Sequence, residues 1–286
     1  MDNLMPVLLL VLAAVGLISL LSFRYVNQRR LRSRQREGLN LIQALQRMLS
    51  HVQRHRGLNY GVMKGANELD CQILDLKHFI SEDIHRIEHS NQWLSTTDSW
   101  GTITKTWAKL TNPHGTWICE ANFSKHNELV ELILDCIDLS VTEYQLIQLQ
   151  TFDTDRSYGY LWQELLPTAE LLGQVRALGT GIAAAGYHSD EDRVRLHELV
   201  RAIEVNMDCL WMNILNNQQL ERDIDLFLSS VDDSIIVRKP SIMPHEYFNL
   251  GTAAIDGLYN HYQLEINHLT DHIFRESPIH PIFNSP

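Results

Sequence analysis

The sequence predicts an all-α protein with an N-terminal transmembrane helix followed by helical bundles. The segment 4–23 contains no charged residue. Beyond it, apolar residues recur every three or four positions, and no long alternating pattern typical of a strand is present. The 14 glycines and 8 prolines among 286 residues are too few for an all-β fold with many turns.

The predicted membrane span is the segment 4–23. Its 20 residues would form a helix about 30 Å long, which matches the hydrocarbon core of a bilayer. A cleaved signal peptide carries positive charge before its apolar stretch, whereas the only charge here is that of Asp2. The segment is therefore expected to remain as an anchor that contacts membrane lipid.

A basic juxtamembrane segment, 24–38, follows the apolar stretch. Six arginines against Asp2 give residues 1–36 a charge of +5, so the other 250 residues carry −16 of the net charge of −11. Because basic residues stay on the cytoplasmic side, we expect a single-pass protein with its N-terminus outside and its body cytoplasmic. The acidic body argues against nucleic acid as a partner, since binding phosphates requires a basic surface.

The body, 39–275, is predicted to be helical throughout most of its length. A helix is expected to end near Lys64, and the next covers 69–87. Further helices are expected in the following places: a partly helical crossover at 93–123, a helix from an N-cap at Ser124 to Leu149, a long helix bent at Pro167 and ending by Gly186, a helix from an N-cap at Ser189 to Asn217, a segment at 220–231, and a last helix at 245–274. The tail, 276–286, is expected to be flexible.

Arginine placement suggests a binding site. Arg176 is the only formally charged residue between Leu171 and His188, so it has no carboxylate one helical turn away. Its side chain must reach solvent, pair with an acid on another helix, or bind an anion. Arg54 and Arg56 likewise have no acid after them until Glu68. The planar guanidinium fits a planar oxyanion or a carboxylate better than a lysine does.

Few features of the sequence indicate an enzyme. The sequence lacks the motifs of a P-loop, a nucleophile elbow, a zinc protease and a kinase. Two Glu-x-x-His pairs, Glu82/His85 and Glu265/His268, have the spacing of di-metal bundles, but chance alone accounts for about one such pair. We therefore expect no catalytic residue, metal or cofactor, and keep a metal-dependent bundle enzyme as an alternative.

Four segments in this order resemble the nitrate- and nitrite-sensing (NIT) domain of bacterial signalling proteins: HRGLNYGVMKG, FSKHNELVELILDCIDLS, LLPTAELLGQVRALG and EYFNLGTAAIDGLY. The resemblance covers roughly residues 39 to 275 and implies two up-down four-helix bundles that hold nitrate or nitrite between helices. It implies Arg56 and Arg176 as anion-binding residues. Where the family has a second arginine beside the first, this chain has His55, the third expected contact.

Together these features predict a membrane-anchored sensor at the bacterial inner membrane that binds nitrate, nitrite or a similar small anion and signals by helix rearrangement. Family members usually carry an output module after the sensor, and the chain shows none before Pro286. A homodimer interface or an unknown signalling partner is expected to read the rearrangement. The alternative outside the enzymes is a helical-bundle membrane adaptor that binds no anion.

Overall fold

The protein is all-α, as the sequence predicts. A computed structural model describes residues 4–112, 117–149, 158–214 and 217–275, and these residues contain no strand. Their α-helices are α1 (Leu4–Met63), α2 (Asp70–Ser90), α3 (Gln92–Ser95), α4 (Asp98–Leu110), α5 (Cys119–Glu143), α6 (Leu166–Ala185), α7 (Asp190–Leu210), α8 (Gln218–Ser230) and α9 (Pro244–Arg275). The predicted tail, 276–286, lies outside the described residues.

Helix α1 unites three segments that the sequence analysis treats separately. It runs for 60 residues through 4–23, 24–38 and the first helix of the body. Its side chains are exposed as far as residue 30 where described, and the buried face begins near Gln35. The helix joins the body there, since Arg34 pairs with Glu143 of α5 at 2.7 Å. The first half of α1 thus extends beyond the packed helices.

The membrane span predicted at 4–23 is not confirmed. Within the described part of the chain, no helix combines the length and the hydropathy needed to cross a membrane.

The helices pack as two groups that meet along α1 and α6. Helix α1 contacts α2 and α5, and α4 contacts α5; in the second group, α6 contacts α7 and α9, and α8 contacts α9. The contact between α1 and α6 joins the groups, and α1 also touches α9. One large hydrophobic core extends through both groups. Helices α1, α6 and α9 thus contact one another where the two groups meet.

Helix α5 differs from its prediction at both ends. Ser124 is not an N-cap, because α5 begins at Cys119 and has no side-chain cap. The earlier start buries Phe123, whose ring centre lies 4.9 Å from that of Tyr60. The helix ends at Glu143 rather than near Leu149, since Gln145 adopts a left-handed conformation with φ of 54°.

Helix α6 is shorter than the long bent helix predicted around Pro167. Its first residues are Leu166 and Pro167, but the chain is already helical from Tyr160 onwards. The preceding turn, Leu161–Leu165, is π-helical, so the change of hydrogen-bond spacing comes before the proline. Gly186 ends α6 as predicted, with φ of 75°. The start of the predicted helix, 150–157, lies outside the described residues.

Ser189 is the N-cap of α7, as predicted. Its hydroxyl accepts a hydrogen bond from the backbone of Asp192, whose carboxylate accepts one from the backbone of Ser189. The helix ends at Leu210 instead of Asn217, which is the N-cap of a separate helix, α8.

Candidate functional site

A buried polar cluster lies where α1, α6 and α9 meet. Burial of such groups in a helical core is costly unless each polar atom has a partner. The cluster consists of the buried Gln53 and Arg56 from α1, Glu170 and Arg176 from α6, Tyr259 from α9, and the partly buried Thr252 from α9. Arg56 and Arg176 are each only 1% exposed, so two formal positive charges lie inside the protein.

Arg56 is paired, although no acid lies near it in sequence. Its guanidinium donates to both carboxylate oxygens of Glu170, over 2.5 and 3.1 Å, and to Asn127 Oδ1 over 2.8 Å. Glu170 is buried as well, so the two charges cancel in a buried ion pair. Arg56 therefore has an internal counter-ion, and a contact between Arg56 and an external anion stays a prediction.

Arg176 has a different environment. Its Nη1 donates to Thr252 Oγ1 over 2.9 Å, whereas Nε and Nη2 have no hydrogen-bond partner in the part of the chain that the structure describes. No aspartate or glutamate in the described ranges forms an ion pair with it. Burial, together with the positive charges of Arg54 and Arg56, lowers the pKa of Arg176 to about 9. The side chain therefore stays protonated at neutral pH as a buried cation without a counter-ion.

The free atoms of Arg176 form one edge of the guanidinium. Nε–H and Nη2–H point the same way, and this two-donor edge can bind an oxyanion or carboxylate in a bidentate manner. One face of the group is covered, because its central carbon lies 4.6 Å from the ring centre of Phe248 in α9. An acceptor in the guanidinium plane would satisfy both free donors.

Glycines let the helices approach closely around the two arginines. A Cβ at Gly173 of α6 would lie 2.9 Å from Arg56 Nη2, and a Cβ at Gly251 of α9 would lie 2.9 Å from Arg176 Cβ. Larger residues would push the helices apart. The small residues are therefore part of the geometry that keeps both guanidinium groups away from water.

His55, the third predicted anion contact, packs against α4 and α5. Its Nδ1 lies 2.8 Å from His126 Nε2, and its ring packs edge-on against Trp107. Burial and the neighbouring His126 hold the pKa of His55 well below its usual value, so the ring is neutral. The structure therefore does not place it with Arg56 and Arg176 at one anion site.

Arg54 lies at the edge of the cluster. Its Nη2 donates to both oxygens of Asp256 in α9, over 2.8 and 2.6 Å, and both side chains are partly exposed. Asp256 lies one helical turn after Thr252, the residue that binds Arg176. This ion pair therefore joins α1 to α9 beside the buried cation.

The two Glu-x-x-His pairs lie on different helices, α2 and α9. On α2, Glu82 contacts His78 at 3.2 Å and the ring of His85 stacks on that of His89. On α9, Glu265 is buried while His268 is exposed. Nowhere in the described ranges do three or more potential ligands come together.

Glu170, Gln53, Thr252 and Tyr259 are the cluster members that the sequence analysis missed. Only Glu170 carries a local signal, since it is a charged residue in a mainly apolar helix six positions before Arg176. The other three are polar residues that are common on helix surfaces. Their contacts depend on helix packing, which local spacing does not determine.

Comparisons with known proteins show a likeness of fold. No protein-family model matches the chain, and no curated protein matches it. The chain is similar to the solved structure of the NasR transcription antiterminator, with a TM-score of 0.64 and 14% sequence identity. The match covers 91% of this chain and 75% of that one. At this identity the likeness shows the fold alone.

Proposed function

We propose that this protein is a non-catalytic sensor that binds nitrate, nitrite or a similar small monovalent anion at Arg176. The observation that supports this proposal is the buried edge of Arg176, where Nε and Nη2 have no hydrogen-bond partner among the described residues. A planar oxyanion between α1, α6 and α9 would accept both hydrogen bonds and neutralise the charge. The residues that resemble the NIT domain are consistent with this ligand class.

The buried charges favour a monovalent ligand. Arg56 and Glu170 cancel, so Arg176 leaves the cluster with a net charge of +1. The nearby pair of Arg54 and Asp256 adds no net charge. One monovalent anion would bring the cluster to neutrality.

Signalling would follow from differential binding. Arg176 belongs to α6, whereas Thr252 and Phe248 belong to α9, so an anion held by Arg176 acts at the interface between these helices. If its contacts are stronger in one arrangement of α6 and α9, binding shifts the population towards that arrangement. A second copy or a signalling partner would read the shift. A regulatory role is also compatible with the likeness of fold to a transcription antiterminator.

Thermal unfolding of the full chain with added nitrate, nitrite or chloride tests the proposal. A ligand that binds only the folded state raises the melting temperature as its concentration increases. We expect a nitrate- or nitrite-dependent rise that Arg176→Gln abolishes. Arg193→Gln is the matched control, because Arg193 is an exposed arginine paired with Asp190 on α7. Equal responses of wild type and Arg176→Gln would reject the site.

We also propose that the first half of α1 attaches the protein to the bacterial inner membrane, with the body in the cytoplasm. Large apolar side chains between Leu9 and Phe23 are more than half exposed, and six arginines follow in 24–36. Such a surface gains free energy on contact with lipid, and the arginines favour anionic headgroups. We expect the full chain to float with vesicles containing phosphatidylglycerol. If the protein is recovered in the vesicle-free fraction at both low and high salt, attachment to the membrane is contradicted.

The second candidate is a helical-bundle adaptor that binds no anion. It is favoured by the contacts that Arg176 already makes with Thr252 and Phe248, which can serve a purely structural role. The adaptor hypothesis predicts no specific response to nitrate or nitrite and a loss of stability in Arg176→Gln without either anion.

A further inference from the structure

The carboxylate of Glu170 is saturated with hydrogen bonds from its surroundings. It accepts two from Arg56, one from Gln53 Nε2 over 2.8 Å and one from Gln174 Nε2 over 2.9 Å. These four donors use the full capacity of a carboxylate. Gln53 is itself fixed, since it accepts a hydrogen bond from Tyr259 Oη over 2.6 Å. Glu170 is thus held by α1 and by its own helix.

We propose that Glu170 determines the ionic valence that the Arg176 site accepts, admitting one monovalent anion and excluding divalent anions such as sulfate. The inference rests on the proposed function of Arg176 and specifies its ligand class. Glu170 serves as an internal anion for Arg56, so only the charge of Arg176 remains for an external ligand.

The physical basis is the cost of net charge inside the protein. The solvation penalty of a buried charge is large unless it is paired. A monovalent anion takes the cluster from +1 to zero, whereas a dianion would take it to −1. Without Glu170, Arg56 and Arg176 would together carry +2 and would match a dianion.

The ligand does not gain a second cation by displacing Glu170. Displacement would leave that carboxylate buried without Arg56, while Gln53 and Gln174 would lose their acceptor. Tyr259 does not supply a charge, because burial raises the pKa of its hydroxyl far above neutral pH. Within the cluster of Gln53, Arg56, Glu170, Arg176, Thr252 and Tyr259, the formal charges are therefore those of Arg56, Glu170 and Arg176.

A series of variants of the full chain changes the charge of the cluster in steps. The net formal charge of the cluster is +1 in wild type and in Arg56→Gln/Glu170→Gln. It is +2 in Glu170→Gln and zero in Arg176→Gln. Each is titrated with sodium nitrate and sodium sulfate while thermal unfolding is followed. Sulfate also stabilises proteins nonspecifically. The rise in melting temperature of Arg176→Gln at the same salt concentration is therefore subtracted from that of each other protein.

The affinity for sulfate is expected to increase with the net positive charge of the cluster. Glu170→Gln should bind sulfate about tenfold or more tightly than wild type, because the net charge of the cluster rises from +1 to +2. The double variant should exclude sulfate as wild type does. Unchanged sulfate binding by folded Glu170→Gln, or a gain that the double variant shares, would overturn the proposal.

Glu170→Asp distinguishes the effect of the negative charge from the effect of side-chain volume. It remains informative if Glu170→Gln does not fold. The shorter side chain keeps the negative charge but opens volume beside Arg56. We expect sulfate to remain excluded, whereas its admission would overturn the role of charge. Failure of the sensor proposal is distinguishable: wild type would not respond to nitrate, although Glu170→Gln could still gain sulfate binding that depends on Arg176.

Discussion

The central carbon of the Arg176 guanidinium in α6 lies over the ring of Phe248 in α9, 4.6 Å from the ring centre. This contact covers one face of the cation, and Thr252 occupies Nη1. What remains is the edge formed by Nε and Nη2, which no described residue satisfies. The two donors of Arg176 that lack a partner therefore lie together at one buried edge of its guanidinium.

Replacement of Arg176 by methionine should have little effect on stability in a buffer poor in small anions. The loss of the contact with Phe248 is offset by removal of an unpaired buried charge, so we expect the unfolding free energy to change by no more than about 1 kcal/mol. Urea denaturation measures this change. A loss of about 3 kcal/mol or more would show that Arg176 is fully paired within the protein.

Replacement of Arg56 by methionine should be far more damaging. The variant leaves the carboxylate of Glu170 buried without its ion-pair partner, which costs about 3–5 kcal/mol of unfolding free energy. The control is Arg56→Met/Glu170→Met, which removes both charges and should recover most of the loss. Urea denaturation of the three proteins provides the comparison. A double variant no more stable than Arg56→Met would contradict the assigned pair.

The ion pair of Arg54 and Asp256 should tune anion affinity without contacting the anion. The positive charge of Arg54 and the negative charge of Asp256 act on Arg176 in opposite directions. Asp256→Asn should tighten nitrate binding a few fold, Arg54→Gln should weaken it similarly, and the double variant should resemble wild type. Calorimetric titration at low and high salt should show these differences shrinking as salt screens them. Equal affinities at low salt would contradict this electrostatic influence.

The paired histidines of α1 and α5 should make stability depend on pH. Burial lowers the pKa of His126 to about 4, and His55 is lowered as well, so both rings stay neutral in the folded protein. Unfolded histidines take up protons below about pH 6.5. The unfolding free energy should therefore fall as the pH decreases from 6.5 to 4, with His126 contributing up to about 3 kcal/mol.

His126→Gln tests this dependence because glutamine retains polar atoms but does not titrate. Its unfolding free energy should fall less steeply than that of wild type between pH 6.5 and 4. Parallel pH profiles for the two proteins would contradict the role assigned to His126.

Features governed by nearby residues could be predicted from the sequence. The capping box at Ser189, the glycine that ends α6 and the isolation of Arg176 among uncharged residues all depend on positions a few residues apart. The orientation of His55 relative to Arg56 also depends on neighbouring positions of one helix. Neighbouring helical positions point about 100° apart, so Arg56 and His55 face different helices.

Features formed by distant residues could not be predicted. Arg56 and Glu170 are 114 positions apart, and Arg54 and Asp256 are 202 positions apart. Their pairing depends on how α1 packs against α6 and α9. Sequence spacing identifies an arginine without a local acid, but only the packed helices distinguish the paired Arg56 from the unpaired Arg176.

The most direct test of the account is a crystal structure of the full chain with nitrate at saturating concentration. It should show planar density in the plane of the Arg176 guanidinium, within hydrogen-bond distance of Nε and Nη2, with Glu170 still paired to Arg56. Nitrate on Arg56 in place of Glu170, or no nitrate at Arg176, would contradict it.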